Sequence, residues 1–192
     1  MNIPNRLSLL RILLVPVMIA VFLVNFPGHI FVTIGIFILA AFTDFLDGKI
    51  ARKYNMITDM GKFLDPIADK MLSTTALILL ACYEIIPNPY GMLCLFLFFV
   101  RDNMVSCLRQ IAATKGVVIA ADWWGKYKTF VFDVAVPVIL LFVGLSELGV
   151  SENIVNIIKW IGYGLMIVAT TLNTISGIVY YVNNKQVFKE SK

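Results

Sequence analysis

The chain has 192 residues, 59% of them hydrophobic and only 15% charged, and its mean hydropathy is +0.85. Soluble domains average about 45–50% apolar and about 25% charged, so this composition excludes an ordinary soluble domain. At roughly 30 residues per span and connection it leaves room for about six membrane spans. The net charge of +4 does not point to nucleic acid as a partner, because no basic arm or nucleic-acid motif accompanies it; in membrane proteins, excess Lys and Arg mark cytoplasmic loops.

The first apolar run, "RLSLLRILLVPVMIAVFLV" after "MNIPN", has the basic-then-apolar order of a signal peptide. It exceeds the usual apolar length of about 7–15 residues and no small-x-small site follows, so it reads as an uncleaved first span. Apolar runs broken by polar or turn-forming stretches predict six helices, at about 7–25, 30–51, 62–86, 90–113, 127–147 and 154–182. The breaks are "NFPGH", "NPYG", "KG" and "SELGVSEN", together with the polar stretch after the second run. The expected fold is all-α, a polytopic membrane protein with six transmembrane helices in one integral-membrane domain over residues 1–192. Cys82, Cys94 and Cys107 are odd in number and lie in apolar context, which implies small buried thiols rather than a disulfide framework.

Placing the N-terminus in the cytoplasm puts Arg6, Arg11, Lys49, Arg52, Lys53 and Lys62 on that side. Arg109, Lys115, Lys126, Lys128 and the tail lysines Lys185, Lys189 and Lys192 join them, while the opposite loops hold only Lys159. Both termini are therefore expected in the cytoplasm. Trp123 and Trp124 fit an interfacial belt, and His29 falls in a turn on the far side.

The cytoplasmic end of the second helix reads "TDFLDGKIAR", and the third opens with "GKFLDPIADK". Asp44 and Asp47 are three apart, and Asp65 and Asp69 four apart, so each pair shares a helix face. Consecutive helices on a short loop are expected to be antiparallel neighbours with their acidic faces together. Each Asp at the centre of a span costs about 2.5–3.5 kcal/mol, less near the interface, and mutual repulsion adds to that. Two divalent ions resolve both problems, since Mg²⁺ and similar hard cations prefer carboxylate oxygens and share coordination with substrate phosphates. Gly48, Ala51 and Gly61 bare the helix surfaces for a phosphorylated ligand and Arg52 offers a planar fork for phosphate; taken singly, the small residues would read as helix packing.

The string "DFLDGKIARKYNMITDMGKFLDPIAD" resembles the signature of the CDP-alcohol phosphotransferases, D-x-x-D-G-x-x-A-R followed by G-x-x-x-D-x-x-x-D. All eight fixed positions are present: Asp44, Asp47, Gly48, Ala51, Arg52, Gly61, Asp65 and Asp69. Within that family the chain is most similar to members that make phosphatidylglycerophosphate, on "NIPNRLSLLR", "VRDNMVSCLRQIAATKG", "GKYKT" and "SGIVYY". Ser8 and Asp102 depart from the pattern, where threonine and glutamate are expected. The resemblance implies CDP-diacylglycerol as donor, glycerol 3-phosphate as acceptor, and two Mg²⁺ or Mn²⁺ ions held by Asp44, Asp47, Asp65 and Asp69. It implies Asp69 as general base, Gly48, Ala51, Arg52 and Gly61 at the nucleotide, and a homodimer in the cytoplasmic (inner) membrane with its site facing the cytoplasm.

Arg109, Lys126 and Lys128, together with Arg101 inside the fourth span, form a candidate pocket for the acceptor phosphate. The lysines are equally explained by positive-inside placement, and Arg101 and Asp102 by neutralising one another inside the fourth span. Asp133 reads as a helix–helix contact or as part of the cavity. An intramembrane prenyltransferase would also use Asp-rich helices, but the D-x-x-D-G-x-x-A-R string argues against it. A divalent-cation transporter would need acidic groups continuing to the far side, where few lie. Other acceptors used within the family, serine, inositol phosphate or phosphatidylglycerol, remain open alternatives.

Overall fold

The computed structural model describes residues 2–53, 58–115 and 123–185. Within these, the side chains at positions 3, 4, 47, 48, 50–53, 59, 62, 65, 123, 124 and 126 lie outside the described set. The described residues form six helices and no strand: α1 (Ile3–Leu23), α2 (His29–Lys53), α3 (Asp59–Cys82), α4 (Tyr90–Thr114), α5 (Trp123–Glu147) and α6 (Glu152–Asn184).

Two helices begin four residues before the expected starts. α1 opens at Ile3 because Pro4 is tolerated in the first turn, where an N–H would be unsatisfied anyway, and α5 opens at Trp123. Apolar periodicity is blind to such polar or interfacial first turns. α3 starts at Asp59 because Thr58 caps it, the hydroxyl accepting from the Gly61 N–H at 3.0 Å. It ends at Cys82, before the expected 86, where the chain turns through Glu84 at φ 52°.

Five of the helices (α1, α2, α4, α5 and α6) are long and apolar enough to cross a membrane. α3 differs. At about 1.5 Å per residue it is as long as a span, but its first half carries Asp59, Lys62, Asp65, Asp69 and Lys70. Its second half carries no charged residue, and Leu72, Ala76, Leu77 and Leu80 there are buried. The helix that brings half of the predicted carboxylates is thus the least lipid-like.

The main helix contacts close a ring in the order α1, α2, α5, α6, α4, α3 and back to α1. α2 and α3, expected as close neighbours, touch only sparsely, because α1 packs against both. The core joins Val15 and Met18 of α1, Phe37 and Ala40 of α2, Leu77 and Leu80 of α3, and Val136 and Ile139 of α5. Phe132 bridges its two sides, with ring centroids 6.5 Å from Phe37 and 5.0 Å from Phe98. Outward positions such as Leu13, Phe45, Phe96, Phe130 and Ile167 are exposed apolar side chains, the surface a bilayer would cover.

Lipid is as apolar as leucine, so close packing and polar contacts must decide how such helices associate. Gly162 of α6 shows the first of these: a Cβ there would lie 2.8 Å from Ile139 Cγ1 and 3.3 Å from the Ile139 backbone. Replacing Gly162 with leucine should therefore force α5 and α6 apart and destabilise the fold by about 1–3 kcal/mol, seen as a lower thermal midpoint of the detergent-solubilised protein. An unchanged midpoint would mean that this seam adapts freely.

Candidate active site

One face of α1 is polar within an otherwise apolar helix. Asn5, Ser8 and Arg11 recur every three residues and are 4%, 0% and 0% exposed. Arg11 Nη1 reaches Asp44 Oδ1 of α2 at 2.6 Å. Asn5 Oδ1 accepts from the Thr58 hydroxyl at 3.0 Å, just before α3 begins. A Cβ on Gly61 would come within 2.9 Å of that same Asn5 oxygen. Gly61 thus lets α1 approach α3, which is the packing role small residues have between membrane helices. The N-terminal helix thereby fixes the positions of both carboxylate-bearing helices.

Asp69 of α3 is accessible, and it lies within electrostatic reach of Asp44 and Asp102, which repel it, and of Lys128 and Arg11, which attract it. Asp133 of α5 is repelled by Asp69 and then Asp44, and attracted by Arg11 and Lys128. Asp69, Ser73, Asp102, Lys128, Thr129 and Asp133 line a small cavity of about 30 Å³, closed on its apolar side by Leu72, Phe98 and Phe132. This is enough room for one or two waters. Asp133 is therefore a wall of the cavity that holds Asp69.

Behind the cavity, α4, α5 and α6 are tied by one polar network. Asp102 Oδ1 accepts from Arg101 Nη1 at 3.1 Å and from Lys128 Nζ at 2.6 Å. Lys128 Nζ also donates to Asn173 Oδ1 at 3.0 Å, and Asn173 Nδ2 to the Leu97 carbonyl at 3.1 Å. Arg101 Nη2 donates to Ser176 Oγ at 2.7 Å. Two glycines clear a path for Arg101. A Cβ on Gly177 would stand 2.7 Å from its Cγ, and one on Gly125 would stand 3.4 Å from its Nη2. The "GKYKT" and "SGIVYY" segments thus converge on a single arginine.

Arg101 and Asp102 do pair, and Lys128 joins them. Expected as a phosphate contact, Lys128 is 7% exposed with two of its three N–H donors committed to Asp102 and Asn173. Arg109 is exposed, its Nε donating to Tyr180 Oη at 3.0 Å. The side chains of Asp47, Gly48, Ala51, Arg52, Asp65 and Lys126 lie outside the described residues. Their helices put the first four near the end of α2, Asp65 one turn before Asp69 on α3, and Lys126 in the first turn of α5.

Among the described residues no three metal-ligating side chains form a closed group. The donor chemistry nevertheless fits hard divalent ions: Asp44 and Asp69 come from two helices into one another's field, and every acidic donor nearby is a carboxylate oxygen. Arg11 is the counter-charge on Asp44, and sequence reading missed that role. Its signal was the polar i, i+3, i+6 face of α1.

The sequence profile of CDP-alcohol phosphatidyltransferases matches residues 1–172. The chain belongs to the CDP-alcohol phosphatidyltransferase family. It is 34% identical to the CDP-diacylglycerol–glycerol-3-phosphate 3-phosphatidyltransferase of Bacillus subtilis, over 99% of this chain and 98% of that one. A Rickettsia bellii protein of the same name is 36% identical over 97% of both chains. A third, from Cereibacter sphaeroides, is 30% identical over 100% of this chain and 99% of its own. Every element of the site described above except Ser176, Gly177 and Tyr180, and the α6 residue Asn173, falls inside the part that the family profile matches.

In this phosphatidyltransferase, Asp102 is the single acid shared by two inward cations. Breaking a buried pair leaves a charge uncompensated and typically costs several kcal/mol. Asp102→Asn should therefore destabilise the fold by about 3 kcal/mol, and adding Lys128→Met should restore part of the loss. Thermal unfolding of Asp102→Asn, Lys128→Met and the double variant measures it; strictly additive losses would show that the two residues are not coupled.

Proposed function

We propose that the protein transfers the phosphatidyl group of CDP-diacylglycerol to glycerol 3-phosphate, giving phosphatidylglycerophosphate and CMP. The observation that carries this reading is similarity along nearly the whole chain to relatives that bear that enzyme's name. The whole chain would act as one membrane domain, with both termini and the site on the cytoplasmic side of the inner membrane, where the charge asymmetry of the loops favours them.

Asp44, Asp47, Asp65 and Asp69 would hold two divalent ions, Mg²⁺ or Mn²⁺. When bound there, such ions neutralise the pyrophosphate and stabilise the departing phosphate oxygen. Arg11 orients Asp44, through the contact at 2.6 Å. Gly48, Ala51 and Arg52 would receive the cytidine nucleotide, with Gly61 beside them at the start of α3. Arg109 and Lys126 would bind the acceptor phosphate, with Arg101 and Lys128 supplying positive potential from behind. Asp69 takes the proton of the acceptor hydroxyl as its oxygen bonds to the β-phosphorus. The bond from that phosphorus to the bridging oxygen then breaks, and the oxygen leaves with CMP. Placing the hydroxyl beside a base and an electrophile in one site lowers the barrier through orientation as well as proton transfer.

Purified protein should release CMP from CDP-diacylglycerol with glycerol 3-phosphate and not with serine, inositol phosphate or phosphatidylglycerol, and chelator should abolish the release. Asp69→Asn should lower turnover by about 100-fold or more with its thermal midpoint little changed. Release with a different acceptor would move the protein within its family. Parental turnover by the Asp69 variant would remove Asp69 as the base.

A further inference from the structure

Tyr180 is buried, 2% exposed, in the last turns of α6, where it packs against Val105 and Leu108 with Met104 beside them. Its backbone carbonyl accepts from Asn184 Nδ2 at 2.8 Å. Both polar features of its side chain act on one neighbour. The hydroxyl accepts from Arg109 Nε at 3.0 Å, and the Arg109 guanidinium carbon lies 5.5 Å from the ring centre. The contact fixes Arg109 by its Nε edge and leaves the terminal pair of nitrogens, the end that meets a phosphate two-pronged, outside it. An arginine on an exposed helix face otherwise loses much rotamer freedom when it binds an anion.

From this geometry we infer that Tyr180 is a positioning residue for the acceptor: it pre-orders Arg109 so that its terminal nitrogens receive the acceptor's phosphate. The inference rests on the reading of Arg109 as an acceptor-phosphate contact, and the ring of helices favours the acceptor over the donor. Arg109 and Tyr180 join α4 to α6, whereas the D-x-x-D-G-x-x-A-R segment expected to take the nucleotide lies on α2, which borders α1 and α5. Lys70 and Asn103, whose side chains meet at 3.5 Å, set the level of α3 against α4. From there Arg109 lies about 9 Å further along α4 at 1.5 Å per residue. Gly91 of α4 packs against Ala81 of α3, so the two helices are antiparallel, which brings Arg109 toward the end of α3 that carries Asp65 and Asp69.

Steady-state kinetics of the full-length enzyme in detergent, varying each substrate in turn, test this with Tyr180→Phe, which keeps the ring, and Tyr180→Leu, which removes ring and hydroxyl. Tyr180→Phe should raise KM for glycerol 3-phosphate about three- to tenfold, the worth of one hydrogen bond, with kcat within about twofold and KM for CDP-diacylglycerol unchanged. Tyr180→Leu should raise it further, and in an Arg109→Lys background Tyr180→Phe should add nothing. Unchanged kinetics in Tyr180→Phe, a rise confined to KM for CDP-diacylglycerol, or full additivity with Arg109→Lys would each overturn the inference. If Tyr180→Leu fails to fold, the phenylalanine variant alone decides. A parental enzyme that cannot use glycerol 3-phosphate at all would instead defeat the acceptor reading, and this inference with it.

Discussion

A guanidinium that is fully buried among apolar helices must have a partner, and in this protein Arg11 reaches Asp44 at 2.6 Å. Taking the guanidinium out of water costs several kcal/mol, although Asp44 keeps part of its surface exposed, and a well-packed apolar pair would hold the helices as firmly. The contact is therefore better understood as a constraint on position than as a source of stability. It fixes the side chain that opens the acidic motif, at the point where an apolar helix runs into carboxylates. With the Asn5–Thr58 bond and the close approach at Gly61, it makes α1 the common reference for α2 and α3. Those two helices barely touch one another, so a cleft can exist between their acidic segments.

The other half of the ring solves the opposite problem. There, two cations point inward and one carboxylate, Asp102, pairs with both, while Asn173 and Ser176 of α6 each accept from one further donor. Polar groups placed in an apolar interior are costly unless each finds a partner, and this network supplies partners from three helices. Its inner surface, Lys128 and Asp102, is also the wall of the small cavity beside Asp69 and Asp133. Asp69 of α3 thus faces Lys128, Asp102 and Asp133 across the cavity, one buried cation among three carboxylates.

The order of helices and the acidic signature were legible in the sequence, because hydropathy and residue spacing are local properties. α3 departs from the six-span expectation in its composition, its first half being too charged to meet the hydropathy of a span. What local reading could not supply was pairing between distant segments. Arg11 counted only as a cytoplasmic cation until Asp44 was found beside it. Lys128 counted as a phosphate ligand although Asp102 and Asn173, on two other helices, already engage it. Asp133 could not be assigned to contact or cavity until α5 was placed across the cavity from α3 and α4. Gly61, Gly125 and Gly177 show the same limit: spacing marks them as small, and only the fold says which atoms they make room for.

Electron paramagnetic resonance of Mn²⁺ bound to the purified protein, without substrate, tests the central claim, that carboxylates from α2 and α3 converge on divalent ions. The account predicts saturable binding of about two ions per chain, lost in large part on Asp44→Asn and again on Asp69→Asn. Binding that is absent, or equally strong in both variants, would contradict it.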